Sequence, residues 1–244
     1  MGEVIAVLSG KGGTGKTSLC AGLSTALAEL GEKVLCVDCD VGLRNLDIPL
    51  GMSGVGALSF QDVIREGIGP ENAAQHPQYP GLRFLTAPVE CTADQLDPEA
   101  FREFLRQAKE SFSRVLLDAP AGVDAGFRLA ARYADRVILV TGPDPAAIRD
   151  AGRIGQLLER MEKNDVRLVV NRLTPELIAV LDITVDDIMD QAGLPLLGIV
   201  PEDPLVLLAA AKEKPLLKAS RRGAAAACRR IARRLQGQRV KLKL

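Results

Sequence analysis

Residues 9–17 read Ser-Gly-Lys-Gly-Gly-Thr-Gly-Lys-Thr, and no other stretch limits so sharply what this chain can fold into. Gly10, Gly15, Lys16 and Thr17 fill the fixed places of Gly-x-x-x-x-Gly-Lys-Thr. The apolar run at residues 4–8 suits a buried strand, and residues 19–30 carry the pattern of a helix. At such a junction glycines let the backbone curl until successive N–H groups point inward, and the helix N-terminus adds partial positive charge. A cradle over Gly10, Lys11, Gly12, Gly13, Thr14, Gly15 and Ser18 therefore suits phosphate oxygens. Lys16 is placed to reach the β- and γ-phosphates and the Thr17 hydroxyl to hold Mg²⁺, so the expected cofactors are ATP or ADP with Mg²⁺.

Two later strands end in acids. The strand expected at residues 33–37 delivers Asp38 and Asp40 to its C-terminal edge, where ligands bind in open parallel sheets. The strand expected at residues 114–118 ends in Asp118, placed to hold Mg²⁺ directly or through water near Thr17. A carboxylate near a γ-phosphate can orient the attacking water, a role open to Asp40. Further on, Asn171-Arg172 follows an apolar strand, and Asn offers a matched donor and acceptor to an adenine edge. Gly122, in Asp-Ala-Pro-Ala-Gly, leaves the loop after Asp118 free to move.

One residue makes the glycine loop more specific. Lys11 follows Gly10 directly, so the loop carries two lysines where a phosphate cradle needs only Lys16. Lys-Gly-Gly-x-Gly-Lys-Thr resembles the deviant Walker A motif of the MinD/ParA family of ATPases. Asp38-x-Asp40-x-Gly42-Leu43-Arg44-Asn45-Leu46-Asp47 resembles switch I of the MinD branch, and residues 118–122 resemble its switch II entry. The resemblance implies that Lys11 reaches across a dimer interface to the partner's nucleotide and that Asp40 positions water. It further implies that Asp38 supports the magnesium shell, that Asn171 and Arg172 meet the adenine, and that Pro201 to Asp203 pack on the base. By the same resemblance the enzyme is a Mg²⁺-dependent ATPase that dimerises on ATP and regulates placement of the division septum. Its implied partners are a second copy of itself, a MinC-like inhibitor, a MinE-like activator and an anionic membrane surface.

The remaining readings concern architecture and partners. Strands and helices alternate through the chain with seven or eight strands, which predicts an α/β fold: a doubly wound, mostly parallel sheet with helices on both faces. We expect one ATPase domain over residues 1–236 and a short basic tail over 237–244. Residues 51–81, rich in Gly and Pro, read as a surface excursion, and His76 within them as a surface residue. Asp97-Pro98 and Asp203-Pro204 read as helix starts.

Net charge is zero, yet residues 212–244 hold twelve Lys/Arg against Glu213, so the body carries the compensating acids. A basic end on an acidic body suits an anionic partner. Ala224, Ala227, Cys228, Ile231 and Leu235 share one helical face, with Arg222, Arg229, Arg230, Arg233 and Arg234 outside it. In the tail Val240, Leu242 and Leu244 alternate with charges at period two, unlike a membrane-inserting amphipathic helix. No apolar run approaches the ~20 residues of a membrane span and no signal-type segment precedes the loop, so a cytoplasmic protein touching the membrane at most peripherally is expected. Five scattered cysteines argue for reduced thiols, with Cys36 and Cys39 structural.

Other classes remain open at this point. A DNA-segregation ATPase of the same family fits the basic end but not residues 42–47. A flagellar-number regulator would carry an extra segment ahead of the loop. An iron–sulfur carrier would need a cysteine to partner Cys91 near residues 118–127, and none stands there.

Overall fold

The computed structural model describes residues 1–89 and 92–243. Eight strands form one sheet: β1 (Glu3–Ser9), β2 (Val34–Asp38), β3 (Ala74–Gln75), β4 (Leu82–Leu85), β5 (Arg114–Asp118), β6 (Arg136–Thr141), β7 (Val166–Leu173) and β8 (Leu196–Pro201). Their order is β3-β4-β2-β5-β1-β6-β7-β8. Every pairing is parallel except that of β3 with β4. The helices are α1 (Lys16–Glu29), α2 (Asp47–Leu50), α3 (Phe60–Glu66), α4 (Pro98–Ser111), α5 (Ala125–Tyr133), α6 (Pro145–Arg160), α7 (Pro175–Leu181), α8 (Val185–Ala192), α9 (Pro204–Ala211), α10 (Leu216–Ala219) and α11 (Gly223–Leu235).

The period-two alternation of β1 explains why helices cover both faces. Val4, Ala6 and Leu8 enter one core with residues of α4, α5, α6 and α8. Ile5 and Val7 enter the other with residues of α1 and α11. Strands buried on both sides read as continuous apolar runs, and the runs in β1, β5 and β6 do so. Helix starts follow local chemistry. Asp97, Asp144 and Asp203 each accept from backbone N–H groups of the first turn, with proline next in the chain.

Two expectations need correction. Residues 51–81 are no mere surface excursion: Met52, Phe60, Val63, Ala73 and Tyr79 are buried, and β3 extends the sheet edge. His76 is not a surface residue. It is 1% exposed, with Nε2 at 2.8 Å from the Leu50 carbonyl and Nδ1 accepting from the Gln78 N–H at 3.0 Å. Its partner on Leu50 lies 26 residues away, beyond any local pattern. The arginines outside the apolar face of α11 are partly engaged within the fold. Arg229 pairs with Glu29 at 2.7 Å, and Arg234 donates to the carbonyls of Leu197 and Val240. The end of the chain thus folds back along α11, where Arg230 also donates to the Lys243 carbonyl. Cys91 and Leu244 lie outside the described residues. Among the described residues, no helix is long and apolar enough to cross a membrane.

Candidate nucleotide site

β1 lies at the centre of the sheet, between β5 and β6. The chain moves from β1 toward β2 on one side and from β5 to β6 on the other, so the crevice beyond the C-terminal ends of these strands is where ligands bind in such sheets. The glycine loop leaves β1 here. Gly13 and Gly15 sit at φ of 81° and 83°, in the left-handed region. A Cβ on Gly15 would stand 2.2 Å from Nδ2 of Asn171, so only glycine fits.

Strand register brings the acids together. Asp38 and Asp118 are direct neighbours across β2 and β5, at the last paired position. Lys16, 6% exposed, reaches Asp118 Oδ1 at 2.6 Å and Thr17 Oγ1 at 3.3 Å. The Asp38 oxygens accept from the backbone N–H groups of Asp40 at 2.9 Å and of Asn45 and Leu46 at 3.1 Å. Even so, burial and the neighbouring Asp118 charge push the Asp38 carboxyl up to about 7. Burial also raises Asp118, against the pull of Lys16. Asp40 is only partly buried; burial raises it, Lys16 opposes the shift and Asp124 adds to it.

This donor set suits Mg²⁺. Two buried carboxyls lie side by side, only Asp118 is paired with Lys16, and Thr17 adds a hydroxyl oxygen. Among the described residues no three His, Cys, Asp or Glu side chains cluster as a self-sufficient metal cage. A cation that takes one or two protein oxygens and completes its shell with phosphate and water fits that arrangement. The Thr14 hydroxyl, buried in the loop, has no hydrogen-bond partner among the described residues.

Two cavities flank the loop. One, about 450 Å³, is lined by Gly15, Ser18, Asn171, Pro201, Val206 and Leu207, among others. Its volume and largely apolar walls suit a purine base. Asn171 is 7% exposed, and its Nδ2 donates to the Thr14 carbonyl at 2.7 Å, which fixes the amide between loop and cavity. Arg172, at φ 61°, pairs with Glu202 at 2.6 Å and donates to the Gly13 carbonyl at 3.2 Å. Asp203 lines the same cavity, while its carboxylate accepts from Leu205 N and Ala224 N.

The other cavity, about 810 Å³, opens on the outer side of the loop and is lined by Lys11, Gly12, Asp144, Thr174, Leu177 and Val180, among others. Lys11 is half-exposed and pairs with Asp144 at 2.9 Å. Gly122, at φ 100°, directs its N–H to the Ser9 carbonyl at 3.1 Å, so that donor must be released before it can meet a phosphate.

Sequence reasoning gave no site role to Asp144 or Asp124 and missed the whole of α7. For α7 a signal existed: Thr174 caps it, accepting from Leu177 N, and Pro175 follows.

Residues 5–216 match the family described as the CobQ/CobB/MinD/ParA nucleotide binding domain. The chain belongs to that family. Along its length it is similar to the septum site-determining protein MinD of Synechocystis, 38% identical over 243 residues that cover 98% of this chain and 91% of the relative. Among solved structures it resembles the MinC:MinD cell division protein complex of Aquifex aeolicus. The TM-score is 0.91 at 35% identity, with 99% of this chain and 98% of that one covered. It also resembles the septum site-determining MinD complexed with Mg-ADP from Pyrococcus horikoshii, at TM-score 0.83 and 30% identity, covering 96% of each chain. Within the MinD/ParA family this is a MinD-like cell-division ATPase with the P-loop fold.

Proposed function

We propose that this ATPase is a nucleotide-driven dimerising switch that regulates where the division septum forms. The observation that carries the reading is the division of labour between its two loop lysines. Lys16 is buried against Asp118 inside the site, whereas Lys11 stands half-exposed at the rim of the outer cleft, paired among the described residues with Asp144. A half-exposed lysine in a cleft that is also lined by the 80% exposed Val180 suits contact with a second copy of this chain.

ATP or ADP with Mg²⁺ is the cofactor the site takes, and the metal supplies charge neutralisation on the phosphates. The loop amides and Lys16 bind and orient the β- and γ-phosphates. Thr17 and Asp118 would hold the metal with Asp38 supporting its shell, while the backbone N–H groups that Asp38 accepts from fix the surrounding loop. Asp40 holds the attacking water, its carboxylate made more basic by burial. Asn171, Arg172, Pro201 and Asp203 seat the base. Residues 1–236 form the ATPase unit and 237–244 a basic tail.

By likeness to the Aquifex complex, a MinC-like inhibitor is a partner. A MinE-like activator and an anionic membrane leaflet complete the cycle. The basic residues of the tail would each contribute ~1 kcal/mol to leaflet attraction, and two tails in one dimer would act together.

Co-sedimentation with anionic liposomes and with duplex DNA, each with ADP and with a slowly hydrolysed ATP analogue, tests this. Retention on liposomes only with the analogue is expected. Analogue-dependent retention on DNA, lost steeply with salt, would instead favour a segregation ATPase. Lys11→Ala should bind nucleotide and yet sediment as a monomer in analytical ultracentrifugation with the analogue; an undiminished dimer in that variant refutes the cross-interface role.

A further inference from the structure

A third cleft, about 210 Å³, opens between the 42–46 loop and α3, and shares no lining residue with either cavity beside the glycine loop. Its walls include Arg44, Ser59, Asp62, Arg65 and Thr86. That volume falls below the roughly 300–1,000 Å³ of sites for drug-sized ligands, so a single small headgroup is what fits.

The charges in the cleft are unbalanced. Among the described residues neither Arg44 nor Arg65 has an ion-pair partner within 4.0 Å; the fourteen pairs found there lie elsewhere. Among the described lining residues the one carboxylate, Asp62, is spent on the start of α3: its Oδ2 accepts from Ser59 N at 3.1 Å and Ser59 Oγ at 2.7 Å. Thr86 supplies an independent observation. It is 2% exposed, and its backbone is satisfied by Leu58 and Phe60. Its hydroxyl is nevertheless buried without a hydrogen-bond partner among the described residues. A buried orphan hydroxyl is costly and calls for a partner. Finally, Arg44 holds φ at 47°, a conformation unusual away from glycine and enriched where function requires it.

We propose that this cleft binds one small oxyanion, a phosphate or carboxylate group, through the guanidinium groups of Arg44 and Arg65 and the hydroxyl of Thr86. Planar guanidinium forks match such oxygens, and the hydroxyl donates to the same group. The cleft is coupled to the reaction centre through two peptide units. Arg44 immediately precedes Asn45 and Leu46, whose N–H groups hold Asp38 Oδ2. An anion anchoring Arg44 therefore biases the loop that seats Asp38, and so the turnover of the site.

The test uses the full chain saturated with Mg-ADP, so that nucleotide phosphates already fill the loop. Inorganic phosphate is titrated at constant ionic strength while backbone amides are followed by NMR; acetate is the carboxylate arm. Saturable shifts at Asn45, Leu46, Arg65 and Thr86 are expected. Tighter saturation by phosphate assigns the site to a phosphate group, and equal or tighter saturation by acetate assigns it to a carboxylate. Arg65→Gln should weaken binding by about tenfold or more. Thr86→Val should also weaken it while leaving Tm unchanged or raised, because the hydroxyl it removes has no partner. Shifts that rise linearly without saturation, shifts confined to the amides of residues 12–18, or equal affinity in Arg65→Gln would overturn the proposal. So would a Thr86→Val protein whose Tm drops by several degrees.

Discussion

Two polar clusters lie buried in this molecule, and they are built on opposite terms. At the C-terminal edge of the sheet, Lys16, Asp38 and Asp118 bring three ionisable groups together, with one cation for two acids. Beside the end of α2, His76 sits with both ring nitrogens engaged by the backbone. Its ring also meets Tyr79 edge-on, with centroids 5.0 Å apart. Both His76 nitrogens are satisfied, although the buried Tyr79 hydroxyl beside them has no hydrogen-bond partner among the described residues. The first cluster crowds two buried carboxyls whose proton affinity is pushed upward, an arrangement that stability alone does not explain. Crowded buried acids with raised proton affinity, rather than incomplete hydrogen bonding, thus separate the binding site from the structural tie.

The sharpest way to break that contrast is Lys16→Ala. Nucleotide affinity should fall by about a hundredfold or more, since several charge-assisted contacts go at once; calorimetric titration with Mg-ADP measures it. The nucleotide-free protein should also lose about 3–5 kcal/mol of stability, because Asp118 is left buried without its cation. Replacing both partners, Lys16→Met with Asp118→Leu, should instead give a protein as stable as the parent or more so by urea denaturation, while binding no nucleotide. If the double variant unfolds as easily as Lys16→Ala, the pair is structural and the contrast fails.

Next in size is Gly15→Ala. The added methyl must displace Asn171 Nδ2, 2.2 Å from where it would sit, and the backbone at φ 83° resists any side chain. Losing the Asn171 bond to Thr14 loosens the loop from the base cavity. Strain of ~1–3 kcal/mol is expected, with weakened binding, in a chain that still folds. Circular dichroism with a nucleotide titration checks both parts; unchanged affinity would show that Asn171 does not tie loop to base.

Much of the charged cluster was legible in the sequence, and the neutral one was not, for a physical reason. A phosphate cradle depends on local backbone geometry, so Gly10 through Thr17 announce it within eight residues. Apolar runs ending in Asp38 and Asp118 placed two acids at one sheet edge, because parallel strands deliver their C-terminal residues to the same side. Helix starts at Asp97 and Asp203 were readable because capping is also local. His76 answers to Leu50, and residues 51–81 are held by a core assembled from distant segments. Glycine and proline in that stretch signalled turns truly, yet turns say nothing of what Phe60 or Met52 pack against. Likewise the closing of Lys16 onto Asp118 spans 102 positions, so the motif named both residues without showing that they pair.

The neutral cluster can be probed from its own side. His76→Phe keeps the ring and its packing on Tyr79 but leaves the Leu50 carbonyl and the Gln78 N–H without their partner. A loss of about 1–3 kcal/mol should appear in urea denaturation at pH 7.5, with nucleotide affinity unchanged. Lost affinity with preserved stability would move His76 into the functional set.

The smallest effect distinguishes the clusters by sign. Burial lowers the His76 pKa, and the nearby Lys218 charge lowers it further, against the opposing pull of the Leu50 carbonyl. The unfolded chain therefore takes up the proton first as pH falls. Stability from this residue is full above about 6.5 and declines as pH drops toward the folded value. Asp38, raised by burial, works the other way: the folded protein holds its proton up to about pH 7, so its cost shrinks as pH falls from there. The wild-type pH profile mixes the two slopes, but a neutral replacement isolates one. The stability difference between wild type and His76→Gln, measured in metal-free protein, should narrow steadily from pH 7.5 to 5.5. A difference that stays constant over that range would mean that the ring titrates alike in the folded and unfolded chains, and the neutral cluster would lose the feature that sets it apart.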